Sequence, residues 1–314
     1  MLLAVLFYGL IPVAGAFVER RRWRFFRRRF SELWMKPHLD YAQSTNPVGD
    51  TEEFRFFGAF ESISDQGQLW IRSGDLTVQA DLSKALTYVF PFFDSEDLTV
   101  GDAPERLHWN RVSALTGDAK VFVGGSLVRR ENRRIFASLP DSPLLIIFFE
   151  GPENTMALKA VYSGRHRNEF LNFLTPYSFI LGAFSLILVA TTFLYRPAFR
   201  ITMITALVAL FIPIIPWIPP GILFTAVYRR LWSLARTYRA YRDLARLPLD
   251  APPWKEGKAA LKNEDFALLS DPESLASRFN LKAYGLVLIS WLFLLAGIGV
   301  NVFFIVLILS QIQM

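Results

Sequence analysis

Three histidines, His38, His108 and His166, are the first residues to weigh as metal ligands or proton carriers, and none lies at ligand spacing from another. His166 and Glu169 stand three apart and would share a helical face just before an apolar run. A metal site there would need further ligands, so the pair reads as a juxtamembrane turn whose Arg and His meet headgroups. Ser126 follows Gly124-Gly125, which is not the G-x-S-x-G order of a nucleophile elbow; it reads as a serine in a strand. Asp94, Glu96, Asp97, Asp102 and Glu105 cluster without the EF-hand spacing and read as a solvated acidic loop. The chain has no cysteine, which excludes a disulfide framework, a thiol nucleophile and Cys-ligated zinc or iron–sulfur centres. No catalytic residue, cofactor or metal is assigned on these grounds.

The strongest local chemistry is cationic. Arg20, Arg21, Arg22, Trp23, Arg24, Phe25, Phe26, Arg27, Arg28 and Arg29 run consecutively. Guanidinium groups pair with lipid phosphates, aromatic rings settle among headgroups, and each basic residue near an anionic surface contributes about 1 kcal/mol. A second set, Arg229, Arg230, Arg236, Arg239, Arg242 and Arg246, lies within 18 residues. Between them Val227, Leu231, Leu234, Tyr238, Tyr241 and Ala245 recur at helical spacing. That pattern suits a helix lying on an anionic leaflet or one packed on a neighbouring domain.

The elements that position these arginines are apolar. Residues 1–18, 170–195, 201–228 and 283–314 carry no charge, and about 20 apolar residues cross the hydrocarbon core as a helix. The 52% hydrophobic share, with 29 Phe, 10 Tyr and 8 Trp, is bunched into these runs. The first run precedes its arginines, whereas a signal peptide carries its charge ahead of the apolar stretch; an uncleaved anchor is expected. Pro213, Pro216, Pro219 and Pro220, followed by Gly221, interrupt the third run. Proline removes an amide donor and clashes with the preceding turn. The segment is therefore either a kinked helix or two half-helices, and in its functional version a broken helix framing a binding site. No Asp, Glu, Lys, Arg or His falls within the four runs, which argues against proton-coupled transport. Asn172 and Asn301 are their most polar candidates, suited to holding helices together.

Residues 50–162 read as β-rich. Glu53–Phe60, Leu69–Arg72, Asp75–Leu82, Leu86–Phe90, Lys120–Arg130, Arg134–Leu139 and Leu144–Glu150 are short runs rich in Val, Ile, Phe and Thr between turn residues. Glu131-Asn132 marks a hairpin, and Gly124-Gly125 inside a strand predicts a bulge or a close backbone approach. Residues 37–162 carry eleven basic and eighteen acidic side chains, the opposite balance to a nucleic-acid-binding domain.

The expected fold is an α+β membrane protein. Four transmembrane helices (1–18, 170–195, 201–228 and 283–310) accompany a β-rich small barrel or sandwich at 50–162. A basic-aromatic segment and linker (19–49), an amphipathic basic helix (229–246) and a linker (247–282) complete it. Positive charge favours the cytoplasmic side, which puts every basic cluster and the β-domain there, in a plasma or inner membrane. The expected role is a non-enzymatic scaffold, assembly factor or accessory subunit with a protein partner and anionic headgroups around it. A transport or channel component using the broken third run, and a lipid-handling enzyme at the interface, are the alternatives.

Overall fold

The structure is a computed structural model that describes residues 1–41, 52–90, 104–108, 119–130, 133–165, 167–248 and 272–312. The chain forms two compact units. One comprises Met1–Trp23, Arg167–Arg239 and Ser277–Met314, and the other Arg24–His166 and Ala240–Ala276.

The second unit is built on a sheet whose strands are β1 (Glu53–Ile63), β2 (Gln68–Ser73), β3 (Leu76–Asp81), β4 (Leu86–Val89), β5 (Glu105–Arg106), β6 (Lys120–Arg130), β7 (Arg133–Ala137) and β8 (Leu145–Phe149). Seven of these fall on the short runs rich in Val, Ile, Phe and Thr that the sequence marks as strands, and β5 is additional. Strands β1, β2, β3, β7 and β6 close into a five-stranded barrel through the β1–β6 pairing. All its pairs are antiparallel except β3–β7, which places Gln79 opposite Ile135. Closure removes the free edges that an open five-stranded sheet would expose. Alternate residues point inward, so Phe54, Phe56, Leu69, Ile71, Val78, Ala80, Val121, Val123 and Phe136 form the barrel core with Ile146 and Phe148. The β8 strand pairs with β6 and carries β4 in parallel. All five of its residues are buried, which is why it reads as an unbroken apolar run rather than an alternating one.

A helix supplies the second layer of this unit. In α1 (Leu2–Trp34) the buried residues Phe26, Phe30, Leu33 and Trp34 recur at helical spacing. Their rings meet the sheet: Phe26 on Tyr88 at 4.6 Å, Phe30 on Phe122 at 5.7 Å and Trp34 on Phe57 at 5.6 Å. Each such side chain contributes about 1.5–3 kcal/mol by leaving water. The glycine pair explains how the helix approaches. The β1–β6 register runs unbroken past Gly124 and Gly125, so no bulge lies there. Instead a Cβ on Gly124 would stand 2.9 Å from Leu33 Cδ1, and one on Gly125 2.7 Å from Leu144 Cδ1. The register shift of this sheet falls in β1, between Phe60 and Ser62. Helix α2 (Glu153–Tyr162) buries Met156, Ala157, Ala160 and Val161.

In the first unit the N-terminal part of α1 packs against α3 (Leu174–Phe193). A π-helical turn at Val5–Leu10 precedes Pro12, whose ring would clash with the carbonyl four residues back in a regular helix. The buried residues of α3 are Thr175, Ser178, Gly182, Leu186 and Ala190. They form one stripe of mostly small side chains, as expected where helices must approach closely without a hydrophobic drive. A Cβ on Gly182 would lie 2.7 Å from Phe7 Cβ, and the Ser178 hydroxyl donates to the Phe7 carbonyl.

The run 201–228 is not one helix. Helix α4 (Arg200–Leu210) gives way to a 3-10 segment at Ile212–Trp217, then to a cis Pro219–Pro220 bond, and α5 (Gly221–Leu244) begins after it. Alone, the 11 residues of α4 reach only about 16 Å. The amphipathic stretch from 229 is the continuation of α5 as far as Leu244. The last helix, α6 (Pro272–Ile312), starts eleven residues before the apolar run at 283. Among the described residues three helices are thus long and apolar enough to cross a membrane: Leu2–Trp34, Leu174–Phe193 and Pro272–Leu307. Their large apolar side chains are widely exposed, among them Phe17, Ile180, Phe184, Leu295 and Phe303, far beyond what a water-facing surface carries.

Candidate membrane-interface site

The arginines after the first apolar run are divided by helical geometry. Arg21, Arg24, Phe25 and Arg28 recur at i, i+3, i+4 and i+7 and are exposed. Arg28 is also bonded to Glu32 at 2.8 Å on the same helix. The opposite side points into protein. Phe26 is 1% exposed, so it belongs to the barrel layer and not to the headgroup region. Arg27 donates to the Ser163 carbonyl. Arg29 is buried, donates to the Pro143 carbonyl and the Ser142 hydroxyl, and pairs with Glu53 at 2.8 Å. Lys36 pairs with the other oxygen of Glu53 at 3.0 Å. Burial alone would raise the Glu53 pKa. Hydrogen bonds from Ser142, Lys36 and Arg29 outweigh burial and hold it at about 2. A carboxylate so acidic is a poor general base for Ser142, and the cluster acts as a lock between α1 and the barrel.

A second lock sits in the first unit. The Glu169 carboxylate is buried and receives Arg20 at 2.6 Å on one oxygen and Arg236 at 2.9 Å on the other. Arg236 also lies over the Trp232 ring at 3.9 Å. Burial pushes the carboxyl pKa of Glu169 up, and the two guanidiniums more than reverse it. One acid thereby joins α1, the segment ahead of α3, and α5. Asn172 adds to the same junction, donating to the Pro12 carbonyl at 3.0 Å and to the Glu169 carbonyl at 3.0 Å. Gly15 leaves room for that amide.

Trp23, expected among headgroups, is 4% exposed. Arg22 and Arg167, both exposed, lie over its ring at 5.6 and 5.9 Å. On α5, Arg230 is exposed and Arg229 stacks on Trp217 at 4.4 Å. Arg239 lies over Tyr284 at 5.7 Å, and Arg242 pairs with Asp243 at 2.7 Å.

The proline break is closed by one side chain. Asn301 of α6 donates to the Ile215 carbonyl at 2.6 Å and the Ile218 carbonyl at 2.9 Å, and accepts from the Gly221 amide at 3.1 Å. Pro213, Pro216, Pro219 and Pro220 cannot sustain a helical ladder, so the Ile218 carbonyl and the first amide of α5 take their partner from another element, while the Ile215 carbonyl also accepts from the Ile218 amide at 3.2 Å. The Thr225 hydroxyl donates to the Pro216 carbonyl at 2.9 Å. Gly221 has no side chain to displace the Asn301 amide that fills the space beside it.

Of the other sequence candidates, Ser126 is buried in β6 and lies 3.1 Å from the Ser142 hydroxyl. His38 stacks on Phe57 at 6.3 Å. Asp94, Glu96, Asp97, Asp102, His166, Glu131 and Asn132 lie outside the described residues. Sequence reading missed Glu169 as the partner of two arginines, and Glu53 and Ser142 as the anchor of Arg29. Glu169 stands just ahead of an uncharged run, Glu53 follows Glu52 and Ser142 follows Asp141, so nothing local singles them out as partners of arginine.

No protein-family model matches this chain, and neither the curated proteins nor the solved structures hold a significant match to it.

Proposed function

We propose that this chain is a multi-pass membrane protein that carries a β-barrel at the cytoplasmic face as a non-enzymatic scaffold, assembly factor or accessory subunit. The observation behind this reading is α1. One helix, with a π-helical turn at Val5–Leu10, is lipid-type at its start, where Leu10, Val13, Phe17 and Val18 are exposed, and becomes part of the barrel layer at Phe26, Phe30 and Trp34. A span that ends as part of a folded domain is a means of holding that domain at the bilayer. The remaining topology follows from charge: α4, the 3-10 segment and the first turns of α5 together make a fourth, discontinuous crossing, and the arginine clusters face the cytoplasm.

The transport alternative draws on the same discontinuity. Asn301 occupies the polar groups that a broken helix would offer to a substrate, which favours the scaffold reading. Stabilised, gently solubilised protein purified at native expression level, with mass spectrometry of what accompanies it, is the test. A stoichiometric protein partner supports the scaffold. A lone chain that supports solute flux in liposomes, with flux altered in Pro216→Ala, would replace it with the transport reading.

A further inference from the structure

Two cations converge on one buried ring. Arg22 and Arg167 come from different elements, yet both guanidiniums lie within 6 Å of the Trp23 ring centre. Two exposed guanidiniums on one ring leave a net positive surface that an anion would balance. The neighbouring acid, Glu169, already serves Arg20 and Arg236. Among the described residues neither Arg22 nor Arg167 has a carboxylate within ion-pair distance, and both are exposed. The indole fixes the two side chains in place by cation–π contact, so the entropy cost of collecting them is largely met before any ligand arrives.

Their position says which anion. Arg22 follows the uncharged run 1–18 by four residues, and Arg167 precedes the uncharged run 170–195 by three. Immediately beside Arg167, Phe170, Leu171 and Phe173 are 37, 71 and 63% exposed. On α1, Phe17 and Val18 are 64 and 57% exposed. Bare apolar side chains therefore lie next to an unbalanced double positive charge. A ligand that matches both has a phosphate attached to acyl chains. Arginine suits it because its planar fork offers two parallel donors to a phosphate.

We infer that Arg22 and Arg167, braced on Trp23, form a specific site for the headgroup of an anionic phospholipid. This rests on the membrane-embedded reading above but not on the scaffold role. The test uses the full chain purified in a mild neutral detergent, with retention of phosphatidylglycerol and phosphatidylcholine read by native mass spectrometry. The expected result is preferential retention of phosphatidylglycerol, weakened about tenfold or more in Arg22→Gln/Arg167→Gln. Loss of two exposed barrel charges in Lys84→Gln/Arg133→Gln leaves it unchanged. Should the Gln pair aggregate, Arg22→Lys/Arg167→Lys keeps the charge and loses the fork, and its preference is expected to fall about threefold or more. Equal retention of the two lipids, or undiminished phosphatidylglycerol binding in the variants, overturns the site. Displacement by millimolar inorganic phosphate would overturn the lipid assignment in favour of free phosphate. A chain that alkaline carbonate strips from membranes would fail the embedded reading itself, so the two failures are distinct.

Discussion

At the scale of single residues, one buried acid, Glu169, and one half-buried acid, Glu53, organise the arginine-rich segments. Removing one member of a buried ion pair leaves the other charge uncompensated, at a cost of about 3–5 kcal/mol. Glu169→Gln leaves Arg236, whose side chain is 9% exposed, without a counter-charge. The expected outcome is a clear fall in the thermal midpoint of the detergent-solubilised protein, larger than for Glu32→Gln, where the pair with Arg28 is exposed. Glu53 makes a pH prediction. Its folded pKa is depressed from 4.5 to about 2, so its contribution is complete above 4.5 and is lost as pH falls toward 2. Denaturant midpoints measured from pH 6 down to pH 3 are expected to decline, and Glu53→Gln is expected to flatten that decline.

At the scale of elements, helices and strands meet where side chains are missing or where an amide fills a gap. Gly124 admits Leu33, and both the Cβ and Cγ of that leucine stand within 3.2 Å of where a Cβ would be. The helix must shift to accept Gly124→Ala, and overpacking of this kind costs about 1–3 kcal/mol. A lowered melting temperature and weaker near-ultraviolet tryptophan signals from Trp34 are the expected readouts. The broken segment depends on Asn301 in the same way. Asn301→Leu is close in size but leaves the Ile218 carbonyl and the Gly221 amide without the partner Asn301 gives them, each costing about 1–3 kcal/mol when buried. Hydrogen exchange around residues 212–223 is expected to rise sharply in that variant and to stay unchanged in Ser185→Ala, whose hydroxyl bonds only its own helix.

At the scale of the whole molecule the proposed topology puts the barrel at the cytoplasmic face, and labelling from outside tests it. The absence of cysteine makes single-cysteine labelling free of background. Ser83 is an exposed barrel residue, and Tyr195 is 88% exposed at the end of α3. In intact cells a membrane-impermeant maleimide is expected to label Tyr195→Cys and to reach Ser83→Cys only after lysis. The reverse pattern would place the barrel outside and undo the cytoplasmic assignment.

Composition and residue type by themselves determined the three long apolar helices of the described residues, the seven principal strands and the basic segments beside them, but not whether the run 201–228 is one kinked helix or separate pieces. Each of those signals is local: a length of uncharged chain, a short run rich in Val, Ile, Phe and Thr between turn residues, or a run of one charge. The closed barrel was not legible, because β1–β6 and β3–β7 pair residues far apart in the chain and pattern alone does not specify partners. The fate of each arginine was hidden for the same reason. Arg21 and Arg29 look alike in sequence, yet one is exposed and the other buried, since a helix turns 100° per residue and only the docked barrel decides which face is inside. The proline cluster announced a break. Only the tertiary structure showed that Asn301, eighty residues beyond Gly221, satisfies the backbone groups that the prolines leave open.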